Sequence, residues 1–282
     1  MPPVKVRDMN QDDEYFVSTC THINETDEID ACARTRLAWL KGMHAKGLRA
    51  KVAVMDGDHA GFIYVMPIEV SPWGPVGKDL LAITCLFVKE DLKGRGAGRA
   101  LLKAAEDEAR HQGKKALVVT GYYHDFWFMP AKYFDESGFT LVAAIAGDGN
   151  PISEGRLKDS DILKGEAILW KVLDPSAEAP DFLRRNCEFR RVQGKVVVDL
   201  FYNTFCQTSN IEARRVREVV CEFEDRVRLN EYPAEDSTAL MSHQTPRGIF
   251  VDGKEISWGY EAPRDGIREA VSEALRRGAD KA

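Results

Sequence analysis

Leu86-Phe87-Val88-Lys89-Glu90-Asp91-Leu92-Lys93-Gly94-Arg95-Gly96-Ala97-Gly98-Arg99-Ala100-Leu101-Leu102 reads as a strand, a glycine-rich loop and the start of a helix. The strand belongs to a continuous apolar run, Leu80–Lys89 (LLAITCLFVK), the pattern of a central strand buried on both faces. Glycines at 94, 96 and 98 let the backbone turn tightly and bring N–H groups close to a ligand. The helix predicted over Ala97–Gln112, stopped by Gly113, adds the positive end of its dipole. Lys93, Arg95 and Arg99 add full positive charge at the rim. Together these features make an anion site suited to phosphates.

Outward from this centre the pattern alternates strands and helices. Upstream lie a short strand at Lys5–Met9, a helical stretch from Asp12 to Ile23, and a helix at Asp30–His44 with Ala33, Leu37, Leu40 and Met43 on one face. Ala50–Met55 and Gly61–Val70 are predicted antiparallel strands joined by a turn at Asp56-Gly57-Asp58. A Pro/Gly loop, Ser71–Lys78, then leads into the apolar run. Downstream come a buried strand at Lys115–Thr120, a short helix at Ala131–Ser137, and strands at Phe139–Ala146 and Ala167–Leu173.

Two phosphate-binding patterns do not fit the loop. A Walker loop needs GxxxxGK[ST], a spacing that does not occur in the chain. A dinucleotide fingerprint needs GxGxxG and an acid at the end of the next strand; here the spacing is GxGxG and that strand ends Thr120-Gly121. The loop Lys93-Gly94-Arg95-Gly96-Ala97-Gly98 resembles instead the coenzyme A loop of the GNAT family of N-acetyltransferases, usually written [Q/R]xxGxG/A. Lys93 departs from the pattern: it keeps the charge and loses the planar head of Arg. The resemblance covers roughly the first 174 residues. It implies a mixed sheet with flanking helices, two of them N-terminal, and acetyl-CoA as cosubstrate. It also implies two splayed central strands, Leu80–Lys89 and Lys115–Thr120, with pantetheine between them. Leu86, Phe87 and Val88 would meet the pantetheine through their backbone, and Lys93, Gly94, Arg95, Gly96, Ala97, Gly98 and Arg99 would meet the phosphates.

Acetyl transfer to an amine needs a neutral nucleophile and a proton for the departing thiolate. In the family a Tyr four residues before a Gly-Phe pair often supplies that proton. Here the pair is Gly138-Phe139, the position holds Phe134, and Tyr133 is its neighbour on another helix face. Tyr122, Tyr123, His124 and Asp125 follow the second splayed strand, with Phe126, Trp127 and Phe128 as candidate walls of an acceptor site. Tyr133, Tyr123 and Asp125 are the catalytic candidates of this part; Cys85, on the apolar strand, reads as core.

The composition changes at Asp174–Pro180 (DPSAEAP), and residues 175–194 read as a linker between a domain at 1–174 and another at 195–282. The second domain gives a strand (Lys195–Tyr202), a helix (Asn210–Arg226), a strand (Val227–Tyr232), a hairpin (Gly248–Val251 and Glu255–Trp258 about Asp252-Gly253-Lys254) and a helix (Arg264–Arg277). That order is the thioredoxin-like core. Thr245-Pro246 stands where such folds place a cis-proline. Phe205-Cys206-Gln207-Thr208-Ser209 is a CxxS version of CxxC, and thiols at helix N-termini are the reactive ones, so Cys206 is a fourth catalytic candidate. Ser209 and Glu212 form a capping-box pattern that would start the helix at Ser209 and leave Cys206 a turn early. The domain pairing, with Trp127–Phe134 and the Thr245–Lys254 hairpin, resembles the YoaP-type acetyltransferases.

The whole-chain quantities agree. With 282 residues, 44% hydrophobic and 30% charged, the chain suits two domains of a globular protein. No stretch approaches the roughly 18 apolar residues of a membrane span. The start, MPPVKVRDMN, has no apolar signal core, so the expected place is the cytoplasm, with six reduced cysteines. A net charge of -6 argues against nucleic acid as a partner, and no His/Cys spacing suggests a metal. The expected activity is acetyl transfer from acetyl-CoA to the amine of a small molecule or peptide, with no membrane partner and a homodimer left open. The alternatives are a CoA-binding sensor or adaptor with an inactive centre, and thiol exchange at Cys206.

Overall fold

The computed structural model describes residues 3–22, 26–123, 128–145, 165–183, 187–258 and 260–279. Contacts divide the chain into two compact units: Met1–Val17 with Lys41–Leu183, and Ser18–Leu40 with Arg184–Ala282.

The first unit is built on seven strands: β1 (Lys5–Asp8), β2 (Arg49–Met55), β3 (Asp58–Pro67), β4 (Leu80–Val88), β5 (Ala116–Tyr123), β6 (Thr140–Ile145) and β7 (Gly165–Val172). They form one sheet in the order β1-β2-β3-β4-β5-β7-β6. The apolar run is central for the reason its composition gives: every residue from Leu80 to Cys85 is buried. Leu81 and Ile83 pack with Leu117 and Val119 on one face, and Leu80 and Ala82 with Val118 and Ile168 on the other. The β2–β3 hairpin turns on Asp56 and Gly57, both at positive φ (52° and 93°), the geometry that matches strand twist. The chain's first two helices are α1 (Glu14–Thr19) and α2 (Asp27–Met43); α3 (Ala97–His111) and α4 (Ala131–Glu136) follow β4 and β5. Leu101, Leu102, Ala105 and Ala109 put one face of α3 into the core. Buried Glu108 on that face pairs with Lys51 at 2.6 Å.

All pairs of this seven-stranded sheet are antiparallel except β4–β5. That parallel pairing covers only Leu80↔Ala116 to Ile83↔Val119. Beyond it the two strands part, and β4 continues with β3 alone as its paired neighbour among the described residues, through Leu86↔Ile63, Phe87↔Phe62 and Val88↔Gly61. The β3–β4 register slips at the same level: Tyr64 faces Cys85 and Val65 faces Ile83, so Thr84 is the extra residue of a bulge.

The linker expected at 175–194 is in part built into this unit. Val76 and Asp181 exchange two backbone hydrogen bonds of 2.9 Å, and Ala177 and Phe182 pack against the Leu80 and Val118 face.

The second unit has β8 (Val196–Tyr202), α5 (Gln207–Cys221), β9 (Val227–Pro233), α6 (Ser237–His243), β10 (Gly248–Val251), β11 (Lys254–Ile256) and α7 (Arg264–Ala279). Its sheet runs β11-β10-β8-β9, with β8 and β9 parallel and the other pairs antiparallel. Val198, Leu200, Val216, Ile267 and Val271 form its core. The segment Ser18–Leu40, carrying most of α2, groups with these elements rather than with the strands that follow it in the chain. Ile29 and Cys32 pack on Ile211, Gln207 Nε2 donates to the Ile29 carbonyl (2.9 Å), and Arg215 holds Glu28 (2.9 Å). Arg36, 1% exposed, donates to the carbonyls of Phe205 (2.6 Å) and Ser18 (3.0 Å).

Two local expectations are corrected. Helix α5 starts at Gln207 with Cys206 as its N-cap, not at Ser209. The capping-box side chains are engaged elsewhere: Ser209 Oγ accepts the Asn203 N–H (3.0 Å) and Glu212 holds Arg247 (2.7 Å). The Thr245–Pro246 bond is trans, and no described peptide bond is cis. Among the described residues no helix is long and apolar enough to cross a membrane.

Candidate functional site

The parting of β4 and β5 opens a wedge in the middle of the sheet, and the glycine loop stands at one mouth of it. Gly94 and Gly96 have φ of 73° and 93°, a region that side chains rarely adopt, and nothing lies within 4 Å of where their Cβ atoms would be. Gly96 is the N-cap of α3, no side chain caps that end, and no acid stands in its first turn. The first N–H groups of α3 are thus left for an external acceptor. Arg95 and Arg99 are exposed and have no ion-pair partner among the described residues. Lys93, expected as a third rim cation, is paired with Glu90 at 2.5 Å. Gly98 is helical and serves a different need: a Cβ there would overlap the hydroxyl of Tyr133.

That overlap locates Tyr133. Its ring leaves α4 toward the start of α3, and its hydroxyl is buried with no hydrogen-bond partner among the described residues. The same point beside Gly98 lies 3.7 Å from Val88 Cγ2, at the end of β4. Ser137 spends its hydroxyl on the Tyr133 main-chain carbonyl (2.7 Å). Burial pushes the Tyr133 phenol above the usual tyrosine range, against smaller opposing pulls from the Ser137 hydroxyl and then Arg99. Phe134, at the family's usual acid position, is fully buried and packs edge-on against Phe139.

Leu86 and Val88 send their side chains into the core cluster shared with α3, while Phe87 packs near Phe16 and Phe62. Their β3 edge is paired and their other edge borders the wedge. Ala97 is buried beneath the loop. Tyr123 ends β5, packs against the same core, and has its phenol pushed up by burial and by Asp135. Asp125 and His124, like Phe126 and Trp127, lie outside the described residues. Cys206 belongs to the second unit, where its N–H bonds Asn203 Oδ1 (2.8 Å) and its side chain makes no capping bond. Cys85 is buried in β4, as a core cysteine should be.

Residues of β4 and β5 also line a small cleft with Trp73, Pro75, Thr84, Thr120, Tyr122 and Phe128 among its walls. Thr84, Thr120 and Trp73 are the residues sequence reading missed. The signal for Thr84 was present: it is the one hydroxyl in LLAITCLFVK.

An uncapped helix end, an unpaired strand edge and an orphaned phenol are groups of the kind that would suit the phosphates, amides and thioester of acetyl-CoA. Residues 10–126 match the family model described as the acetyltransferase (GNAT) family. Solved structures similar to the chain include a GNAT-family structure from Desulfovibrio desulfuricans (18% identity, 60% of this chain and 99% of that one, TM-score 0.45). Another is the ribosomal-protein-alanine N-acetyltransferase of Brucella melitensis (18%, 60% and 99%, TM-score 0.43). A third is yncA of Salmonella typhimurium, described with its cofactor acetyl-CoA (21%, 63% and 98%, TM-score 0.44). Among curated proteins none matches the chain. The match to acetyltransferases of the GNAT family thus lies over residues 10–126, which take in the glycine loop and both central strands.

Proposed function

We propose that the chain moves an acetyl group from acetyl-CoA to the amine of a small molecule or peptide. The observation that carries this reading is the buried, unpartnered Tyr133 hydroxyl between the α3 end and Val88. When bound, acetyl-CoA supplies a thioester: a nitrogen–carbon bond forms at its carbonyl carbon, the carbon–sulfur bond breaks, and sulfur keeps the electron pair. Tyr133 Oη holds the proton that sulfur takes up. Its raised pKa keeps it protonated at neutral pH, as an acid must be, and the amine's own proton leaves to solvent. The N–H groups at the start of α3, with Arg95 and Arg99, anchor the phosphates; the unpaired edge of Leu86–Val88 orients the pantetheine. Incubation with acetyl-CoA and a panel of amines, followed by free-thiol release and mass spectrometry of the acceptor, tests this. Tight acetyl-CoA binding without acetylation of any amine overturns it in favour of a sensor with an inactive centre.

For the second unit, the parallel β8–β9 pair, the antiparallel β10–β11 hairpin and the position of Cys206 on the α5 cap support a thioredoxin-like reading with monothiol exchange at Cys206. The trans Thr245–Pro246 bond stands against it.

A further inference from the structure

We infer that Gly121 is a positioning residue for Tyr133: its missing side chain lets the first turn of α4 lie directly on β5, and that seat aims the Tyr133 hydroxyl at the start of α3. The role in turnover rests on the acetyl-transfer reading above. Gly121 stands in a strand, Ala116–Tyr123, whose other residues are apolar, β-branched or aromatic. Its backbone is ordinary strand, paired with Ala167 of β7, and it is not at positive φ, so no turn calls for glycine there. A glycine in such a place weakens the strand and marks the close approach of another backbone. The approach is that of Ala131. A Cβ on Gly121 would lie 2.8 Å from Ala131 Cα, 3.1 Å from Ala131 Cβ and 2.9 Å from Leu169 Cδ1. Leu169 meets it with the far end of a side chain and can turn aside. Ala131 meets it with main chain, at the first residue of α4.

The same turn of helix carries Tyr133. It is fastened to β5 by the Tyr122 N–H, which donates to the Met129 carbonyl (3.0 Å), and closed by the Tyr133 N–H, which donates to the Pro130 carbonyl (3.0 Å). Met129 enters it at φ 47°, a region non-glycine residues rarely adopt. Ala131 and Phe134, three residues apart, share the buried face. Tyr133 points elsewhere, into the space that Gly98 leaves on α3. Two glycines thus gauge one turn, Gly121 from the sheet and Gly98 from the helix. The Tyr133 hydroxyl has no hydrogen-bond partner among the described residues, so packing alone sets its position. Ordinary contact with a Cβ begins at 3.4 Å, against the 2.8 Å found, so a methyl at 121 would push Ala131 outward by about 0.6 Å and carry Tyr133 with it. A shift of that order at a proton donor costs about tenfold or more in rate.

The test uses the full chain with Gly121→Ala, Tyr133→Phe and the double variant. Turnover is CoA release from acetyl-CoA with the fastest amine of the panel above. The Tyr133 phenol is followed by tyrosinate absorbance, as the difference between each chain and its Tyr133→Phe counterpart. Gly121→Ala should lower kcat about tenfold or more and leave the acetyl-CoA Kd within about twofold. The phenol, loosened from its seat, should ionise closer to pH ~10 than in the native chain. In the Tyr133→Phe background the same methyl should change kcat less than about twofold, because the group it displaces is already gone. A merely structural role would lower kcat equally in both backgrounds and leave the phenol where it was. If Gly121→Ala does not fold, Gly98→Ala presses on the hydroxyl from α3, where alanine is the better helix former, and should give the same loss and the same phenol shift. Native kcat in the folded variant, a native phenol titration, or equal losses in both backgrounds overturns the inference. A shifted phenol in a chain that acetylates no amine upholds the seating of Tyr133 and overturns the acetyl-transfer reading.

Discussion

The starts of α3 and α5 are two helix ends without a capping side chain, each preceded by a strand of its unit's sheet. They are resolved in opposite ways. At α3 the N-cap is Gly96, the space around Gly94 and Gly96 is open, and two cations flank it. At α5 the first turn is filled from inside the protein. Gln207, Thr208 and Ser209 are all buried; Gln207 reaches Ile29, and Ser209 holds Asn203. Asn203 in turn bonds the Cys206 N–H and donates to the Pro246 carbonyl (2.8 Å). On the reading proposed above, the open helix end serves a ligand, whereas the filled one serves fold cohesion. What differs is whether side chains occupy the space in front of the helix.

The largest expected effect probes the open end. Tyr133→Phe removes the hydroxyl that Gly98 makes room for, and kcat should fall about a hundredfold, in the range for loss of a general acid. The acetyl-CoA Kd should stay within about twofold, since the phosphates are held elsewhere. The pH profile gives a second readout. A raised phenol pKa means the acid form persists up to and beyond pH ~10, the ordinary tyrosine value. Native activity should therefore climb with pH as the acceptor amine loses its proton, and decline only on the far alkaline side. The variant should lose that alkaline decline. An unchanged kcat would assign the proton transfer to another group.

Next in size is the contrast itself. Arg95→Ala with Arg99→Ala should weaken acetyl-CoA binding about tenfold or more, and the loss should shrink at high salt because both groups are exposed. Gln207→Ala, in the first turn of the other helix, should leave acetyl-CoA affinity untouched. It should lower the stability of the second unit by about 1–2 kcal/mol, the cost of a buried hydrogen bond lost from the Ile29 carbonyl. Calorimetric titration and thermal unfolding separate the two. A Gln207→Ala effect on coenzyme binding would break the division of roles.

How much of this was legible in the sequence depended on range. The glycine loop was, because its spacing, its charge and the apolar strand before it are local signals. The Tyr133 geometry was only half legible. One residue along a helix swings a side chain by about 100°, and the swing that buries Phe134 is the one that carries Tyr133 toward Gly98. The Thr84 bulge is a matter of register between β3 and β4, which no single strand encodes. The grouping of Ser18–Leu40 with the C-terminal elements rests on Arg36, Gln207 and Glu28, whose partners are far along the chain. The seven residues of α6 are too few to carry a clear period, and its Asp236 cap was the one local sign. The Ser209–Glu212 pattern misled for the same reason in reverse. It is a sound local cap, overruled by Asn203 and Arg247.

The smallest expected effect is at Cys206. A cysteine is an unusual N-cap, because its sulfur is a weak acceptor, and here the side chain makes no capping bond. Serine at the same position, with the same extended backbone (φ −90°, ψ 123°), presents an oxygen able to accept a first-turn N–H. Cys206→Ser should therefore stabilise the second unit slightly, by about 0.5 kcal/mol, a rise of about 1–2 °C in Tm. If the substitution is stabilising and no thiol-exchange rate changes, the α5 end is cohesive through and through, and the contrast with α3 is complete. If exchange with a small thiol such as glutathione is lost while stability rises, the cysteine is kept at a cost to the helix. The second unit then has an open end of its own, one that offers a sulfur where α3 offers backbone N–H groups.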